Sequence, residues 1–211
     1  MRTDLREKII QSSLLLFEKK GFHGVTVNEI VADVGTSKGG FYHHFTSKDE
    51  LLYVIHDMFI TYVLEKAMYA INLYESPTRK LRAIIKDFVK VFDIYKPHIS
   101  VFYQESIYLK HEYEVIIKEK RDCFKKLIFH TIKEGQECGE FRKDLPVEIT
   151  GMAILGMVNW TYKWYHPAGR NTIEEISDIF VDLILHAVVA KETWNQLTSN
   201  ELSADRTILS D

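Results

Sequence analysis

The sequence contains two consecutive helical segments of about eight residues each near its N-terminus. The run Thr26-Val27-Asn28-Glu29 has the spacing of a capping box, in which the Thr hydroxyl bonds the third backbone amide and Glu reaches back. The helix that it opens ends at Gly35, and Thr36-Ser37 caps a second segment running from Lys38 to Phe45. Two short helices joined at a glycine are typical of a helix-turn-helix, whose second helix enters the major groove of DNA.

The rest of the chain is predicted to be helical as well. A stripe of apolar residues begins at Leu5 and ends at Gly21, and the runs 47–50 and 172–175 provide two further capping boxes. Further helices are predicted over 47–74, 77–94, from 97, 113–137, 147–164 and 173–194. No strand pairing or internal repeat is evident, so the pattern predicts an all-α fold of about nine helices.

Composition excludes several classes of protein. The chain has 211 residues, of which 46% are hydrophobic, so it is long enough to bury a core without disulfides. Its two cysteines, Cys123 and Cys138, cannot form a four-thiolate zinc site; we expect both to be ordinary thiols, one of them buried. Without a signal peptide or a membrane-spanning run, the expected compartment is the cytoplasm.

The charge balance neither requires nor excludes a nucleic-acid partner. The formal net charge is -3. Residues 1–50 contain seven Lys/Arg and seven Asp/Glu, so the acidic excess lies beyond them. A neutral segment can still present a basic face, because helical periodicity sorts charges by side.

The second short segment carries side chains suited to DNA. Gly39 and Gly40 are poor helix formers, and we attribute them to the close approach of a DNA backbone. Hydroxyl, imidazole and ammonium donors surround them: Thr26, Thr36, Ser37, Lys38, Tyr42, His43, His44 and Lys48. The alternative is that the segment only contributes core residues, and for Phe41 and Phe45, spaced four apart, we adopt that interpretation.

The stretch from Arg6 to Leu52 resembles the DNA-binding domain of the TetR family of transcriptional repressors. The resemblance rests on Ile9-Ile10, on Phe17 with Gly21-Phe22 and Val25-Thr26-Val27, on Ile30-Val31, on the run from Val34 to Phe45, and on Ser47-Lys48-Asp49-Glu50-Leu51-Leu52. It covers about a quarter of the chain. The common pattern has one glycine near Gly39, so Gly40 is a departure that can alter base preference.

The resemblance implies a domain organisation and a set of contacts. Residues 1–47 would form a three-helix DNA-binding domain, 48–195 a helical ligand-binding and dimerisation domain, and 196–211 a disordered tail. Matching positions imply phosphate contacts from Thr26, Tyr42, His44 and Lys48. The residues nearest base edges would be Thr36, Ser37, Lys38, Gly39 and His43, with Lys38 the best suited to guanine. A homodimer would read a pseudo-palindromic operator.

The family resemblance further implies that the last two helices, about 147–164 and 173–194, pair with their copies in a dimer. The first of them contains Gly151, Met152, Ala153, Gly156 and Met157, which allow close and adaptable contacts. The alternative is that these residues are ordinary monomer core.

A hydrophobic effector is expected in the larger domain. The dense run 159–165 and Lys120-Arg121-Asp122 resemble a TetR subgroup that controls lipid degradation and responds to acyl-coenzyme A thioesters. An apolar tunnel would hold the lipid, and cations at its mouth would hold the coenzyme. The candidate ligand-binding residues are Phe102, Tyr103, Arg121, Phe124, Trp160 and Trp164. The alternative is an efflux-type regulator that senses lipophilic drugs or cations, for which a buried Glu105 among aromatic rings would be the indication.

Two other functional classes compete with a repressor. An enzyme is not expected, because the nine histidines show no metal-binding spacing and no nucleophile elbow or phosphate loop is present; no catalytic residue, metal or cofactor is assigned. A helical adaptor without DNA binding would not need Tyr42, His44 and Lys48.

Overall fold

The computed structural model describes residues 4–195, and between Leu5 and Val188 it contains ten α-helices. Their bounds are α1 Leu5–Lys20, α2 Val27–Val34, α3 Lys38–His44, α4 Lys48–Leu73, α5 Pro77–Ile94, α6 Lys96–Glu105, α7 His111–Cys138, α8 Val147–Asn159, α9 Thr161–Trp164 and α10 Ile173–Val188. A 3-10 turn, Ser106–Tyr108, follows α6. The predicted all-α fold is confirmed, and the predicted disordered tail, 196–211, lies outside the described residues.

The helix boundaries differ from prediction in two places. The predicted helix 147–164 is two helices, because at Trp160 the backbone tightens: its amide bonds Gly156 while its carbonyl accepts from Lys163. The predicted helix 173–194 ends at Val188, where Val189 pairs with Phe141 in an isolated antiparallel bridge; helical backbone returns at 191–195. Each interruption is a local change of hydrogen bonding that apolar periodicity does not reveal.

Two of the three predicted capping boxes form as expected. Thr26 with Glu29, and Thr172 with Glu175, exchange both hydrogen bonds. At the start of α4, Ser47 Oγ accepts from the Glu50 amide at 3.0 Å, but the Glu50 carboxylate bonds Thr46 instead of Ser47. Of the predicted capping box, only the bond from the Glu50 amide to Ser47 therefore forms. The Glu50 carboxylate bonds Thr46 in place of the Ser47 amide.

The backbone divides into two compact units. The first contains residues 4–64 and 91–122, and the second contains 65–90 and 123–195. Helices α4, α5 and α7 each contribute to both, whereas the division predicted from family resemblance lies at 47/48. Each unit has its own buried side chains.

The first unit is organised around a core formed by the three N-terminal helices, the turn between α1 and α2, and the start of α4, with one residue from α6. Its buried members are Ile9, Ile10, Leu14, Phe17, Phe22, Val25, Ile30, Val31, Phe41, Phe45, Leu51, Leu52, Ile55 and Val101. A buried Ser12 hydroxyl donates to Asp33 at 2.6 Å and joins α1 to α2. This core fixes the orientation of α3.

The second unit is packed around two glycines and an ion pair whose lysine is buried and whose carboxylate is half-buried. A Cβ at Gly135 would lie 2.2 Å from the Phe141 ring, and one at Gly151 would lie 2.3 Å from the Phe129 ring. Lys80 Nζ lies 2.7 Å from the Glu134 carboxylate. Gly151, which we expected at a dimer interface, is thus buried within its own unit.

The sequence also led to expectations about membrane spans, metal sites and the two cysteines. Over residues 4–195 no helix combines the length and apolar character that a membrane span requires. Within the same range no group of three or more metal-ligating side chains is present. Cys123 and Cys138 are both exposed and free, so the expectation that one is buried was wrong.

Candidate DNA-binding surface

Helix α3 is anchored by one face and exposes the other. Phe41 and Phe45 are almost completely buried, with ring centroids 5.7 Å apart, so their predicted core role is confirmed. The Arg6 guanidinium lies 5.4 Å from the Phe45 ring centroid. Tyr42, next to Phe41 in sequence, is 52% exposed. The aromatic pair holds the helix while its polar side chains project into solvent.

The turn before α3 is set by one glycine and one hydroxyl. Gly35 takes a left-handed conformation, φ 73°, which a glycine adopts without strain. The Ser37 hydroxyl accepts from the Gly40 amide at 3.1 Å and caps α3. Its own proton stays available for an acceptor outside the protein.

The two glycines of α3 have different structural contexts. A Cβ on Gly40 would lie 2.4 Å from Thr36 Oγ1, so this protein atom, and not only a DNA backbone, accounts for a glycine there. At Gly39 the nearest atom would be Ser37 Oγ at 3.5 Å, an ordinary contact. Only Gly39 therefore leaves open space for a close approach.

The predicted contact residues cluster near α3. Thr26, Ser37, Lys38, Gly39, Tyr42 and His43 are exposed, whereas Thr36, His44 and Lys48 are half-buried. The His43 and His44 rings meet edge to face, with centroids 4.9 Å apart. Hydroxyl, imidazole and ammonium groups are thus available on one short helix and its cap.

Thr26 belongs to a hydrogen-bonded network with Glu29 and Lys20. The capping-box spacing predicts the Thr26–Glu29 part of this network but not the contact with Lys20. The Thr26 hydroxyl donates to Glu29 Oε2 at 2.9 Å, and Glu29 Oε1 lies 2.8 Å from Lys20 Nζ. These hydrogen bonds, the one from Lys20 above all, lower the pKa of Glu29 to about 2. To contact phosphate, the Thr26 hydroxyl would have to turn away from Glu29.

Lys48 is engaged within the protein. Its ammonium donates to the carbonyl of Phe22 at 2.7 Å and to that of Val25 at 2.6 Å. It also lies 4.2 Å from the Phe22 ring centroid. Burial lowers the pKa of Lys48. No local sequence pattern indicates these contacts, because they join residues more than twenty positions apart.

The candidate ligand-binding residues fall into two groups. In the first unit, the Phe102 ring packs edge to face against the Tyr103 ring. The Arg121 guanidinium lies 5.8 Å from the centroid of the Phe102 ring. Phe102 also contacts the Phe59 ring at 4.6 Å. Glu105 is also buried, and its Oε1 lies 3.6 Å from where a Cβ on Gly21 would stand.

In the second unit, Phe124 is buried and Trp160 and Trp164 are exposed. The Phe124 ring packs edge to face on Phe88 at 4.8 Å. Trp160 is 61% exposed and Trp164 48%, with Trp164 near the Phe180 ring. Both tryptophans therefore present about half or more of their surface to solvent.

Two family models, one matching the N-terminal part of the chain and one matching the larger C-terminal part, indicate the same family. The family model "Bacterial regulatory proteins, tetR family" matches residues 9–54, and "Tetracyclin repressor-like, C-terminal domain" matches residues 74–188, more than half of the chain. The transcriptional repressor KstR2 of Mycolicibacterium smegmatis is 21% identical over 188 residues, which are 89% of this chain and 92% of that protein.

Solved structures share the fold over most of their length. The TetR family regulator PfmR from Thermus thermophilus matches with a TM-score of 0.78 at 27% identity, covering 85% of this chain and 97% of that one. AibR, solved in complex with isovaleryl coenzyme A and operator DNA, matches with a TM-score of 0.73 at 23% identity and the same coverage. The matching families are transcriptional regulators, not enzymes. The chain therefore belongs to the TetR family of bacterial transcriptional regulators and carries a DNA-binding helix-turn-helix.

Proposed function

We propose that this protein is a dimeric, cytoplasmic repressor that binds a pseudo-palindromic operator and is released by a hydrophobic small molecule. The observation that carries the proposal is the division of α3 into a buried aromatic face and an exposed polar face. A helix held in this way can enter a major groove without losing its packing.

We assign the proposed DNA contacts from the exposure of each side chain and from the donor groups that it has left for DNA. Lys38 and His43 would read base edges, with Lys38 donating to guanine, while Ser37 and Gly39 allow close approach. Tyr42 and His44 would bind phosphate and set the register of the helix. Thr36 and Thr26 would add hydroxyl contacts at the edges of this surface. Lys48 is left out of the contact set because two of its three N–H groups are already bound.

A dimer interface on α8 and α10 is supported by their exposed apolar stripes. On α8 and at its end the exposed large side chains are Ile149, Met152, Met157 and Trp160, and on α10 they are Ile179 and Leu183. Their spacing follows one face of each helix. Gly156 lies on the same stripe of α8 with no atom within 4 Å of an added Cβ, so a partner helix could approach there. Exposed apolar stripes on neighbouring helices are typical of an interaction site.

For the effector, we propose a coenzyme A thioester with an acyl chain. AibR, which shares the fold, was solved with isovaleryl coenzyme A. In this chain the Phe59–Phe102–Tyr103 rings form an apolar cluster that is largely buried, and the adjacent Arg121 guanidinium offers a charge for phosphate. A lipophilic cation is the second candidate, because Glu105 is buried, as the efflux-type alternative requires.

Fluorescence anisotropy tests both parts of the proposal. Purified protein is titrated onto labelled DNA from upstream of its own gene and onto a scrambled duplex, with and without a long-chain acyl-coenzyme A. We expect specific binding that the thioester releases, while free coenzyme A and the free fatty acid do not. Lys38→Met should weaken specific binding, and Lys126→Met, at an exposed lysine outside the surface, is the matched control. Specific binding that the thioester leaves unchanged would refute the effector class.

A further inference from the structure

The turn that joins α1 to α2, residues 21–25, lies immediately before the predicted contact residue Thr26. It begins at Gly21, whose φ of 72° is left-handed. The Phe22 ring is buried and packs edge to face on Phe17 at 5.3 Å. Only one backbone hydrogen bond lies within the turn, from the Val25 amide to the Phe22 carbonyl at 3.4 Å, so its shape depends on side chains from elsewhere.

Two residues far along the chain hold this turn. Lys48, the first residue of α4, bonds the carbonyls of both Phe22 and Val25, at 2.7 and 2.6 Å. Tyr108, at the end of the 3-10 turn, stacks on the Phe22 ring at 6.3 Å and meets the His23 ring edge to face at 4.2 Å. The turn is thus fixed from α4 and from the segment after α6.

A phosphate contact by Lys48 could use only its third N–H group unless the ammonium moved away from these carbonyls. Its ammonium has three N–H groups and two are donated to carbonyls; pulling it away would leave both carbonyls without that partner. The surroundings of the Lys38 ammonium differ from those of Lys48. Lys38 is exposed, and within residues 4–195 it makes no hydrogen bond or ion pair with another side chain. The two lysines therefore have different roles available to them.

We propose that Lys48 is a positioning residue: its ammonium fixes the 21–25 turn, and with it Thr26 and the start of α2, and does not serve to neutralise a DNA phosphate. Tyr108 supports the same turn through ring contacts. The inference rests on the proposed DNA-binding function and states how the DNA-reading surface is kept in shape.

The test compares two variants with the same change of charge, Lys48→Met and Lys38→Met. Each is titrated onto a duplex that wild-type protein enriches from a random pool, at several salt concentrations. Loss of one phosphate contact reduces the slope of log K against log salt by about 0.9, or about 1.8 for a dimer. We expect Lys38→Met to show a reduction of this kind, because an exposed ammonium that donates to guanine in the groove also displaces counterions from the neighbouring phosphates. Lys48→Met should weaken binding about tenfold or more with its slope unchanged.

Hydrogen exchange followed by mass spectrometry supplies a readout that a general loss of stability would not reproduce. Lys48→Met should speed exchange in peptides that cover 21–27 and leave peptides from α10 unchanged. Tyr108→Leu, which keeps every charge, should do the same and should also weaken binding at constant slope. It serves as the second variant if Lys48→Met fails to fold.

Three results would overturn the inference. They are a slope that falls in Lys48→Met as it does in Lys38→Met, binding by Lys48→Met that equals wild type, and exchange in 21–27 that does not change. If wild-type protein enriches no sequence, the proposed function fails instead, and the exchange measurement still decides whether Lys48 holds the turn.

Discussion

His98 on α6 is a buried imidazole whose neutrality should make the protein sensitive to acid. The side chain is 4% exposed, and within the described residues neither Nδ1 nor Nε2 has a hydrogen-bond partner. Burial lowers the pKa of His98 from 6.5 to about 4, against a smaller opposing effect of the Glu7 carboxylate. The folded protein therefore holds this ring uncharged at neutral pH.

The direction of the pH effect follows from that pKa. Between pH 6.5 and about 4 the unfolded chain binds a proton on His98 that the folded chain does not, so the free energy of unfolding falls as the pH falls. The contribution is complete above about pH 6.5 and is lost towards pH 4. At pH 5 the loss from this one group amounts to about 2 kcal/mol.

The variant His98→Leu isolates this effect. Leucine is apolar and of similar size, so at pH 7 the free energy of unfolding should change little, or rise as two unpartnered nitrogens are removed. At pH 5 the variant should be more stable than wild type by a further ~2 kcal/mol. Urea denaturation at pH 7, 6 and 5, at one protein concentration, gives the values.

Carboxylates that titrate in the same pH range contribute equally to the free energy of unfolding of both proteins. Their contribution therefore cancels in the difference between variant and wild type. His111→Leu, at an exposed position, is the control and should not alter the pH dependence. A difference between His98→Leu and wild type that stays constant from pH 7 to pH 5 would refute the reasoning.

Three further predictions concern packing and assembly. Phe41→Ala should lower the free energy of unfolding by about 3–5 kcal/mol in urea denaturation, because the ring is fully buried; a loss below about 1 kcal/mol would contradict its anchoring role. Gly40→Ala should lower the free energy of unfolding in urea denaturation and adding Thr36→Ala should restore it, whereas Gly39→Ala should raise it by up to about 1 kcal/mol; no restoration would exclude the clash with the threonine hydroxyl. Leu183→Glu should convert the dimer to monomer in analytical ultracentrifugation, and an unchanged mass would place the interface elsewhere.

Local sequence signals predicted the DNA-reading helices closely. The caps at Thr26 and Ser37, the glycine at 35 and the i,i+4 pair Phe41–Phe45 each depend on residues only a few positions apart. Interactions over such short separations are visible in the sequence as spacing. The predicted α3 accordingly differs from the observed helix by a single residue at its end.

Contacts between distant residues were not predictable in the same way. Lys48 matched a position that the family uses for phosphate, and only the folded chain brings it to the carbonyls of Phe22 and Val25. Trp160 and Trp164 belong to an aromatic run that suggested a pocket, but the break at Trp160 and their exposure are features of tertiary structure. Aromatic density predicts burial or binding without saying which surface is involved.

The central claim is that the exposed face of α3 reads a two-fold DNA site. The most direct measurement is selection of bound duplexes from a random pool, followed by sequencing, with wild-type protein and with a variant that combines Lys38→Ala and His43→Ala. The account predicts a pseudo-palindromic sequence enriched by wild type and lost or altered in the variant. Enrichment of the same sequence by both proteins, or of none by wild type, would contradict it.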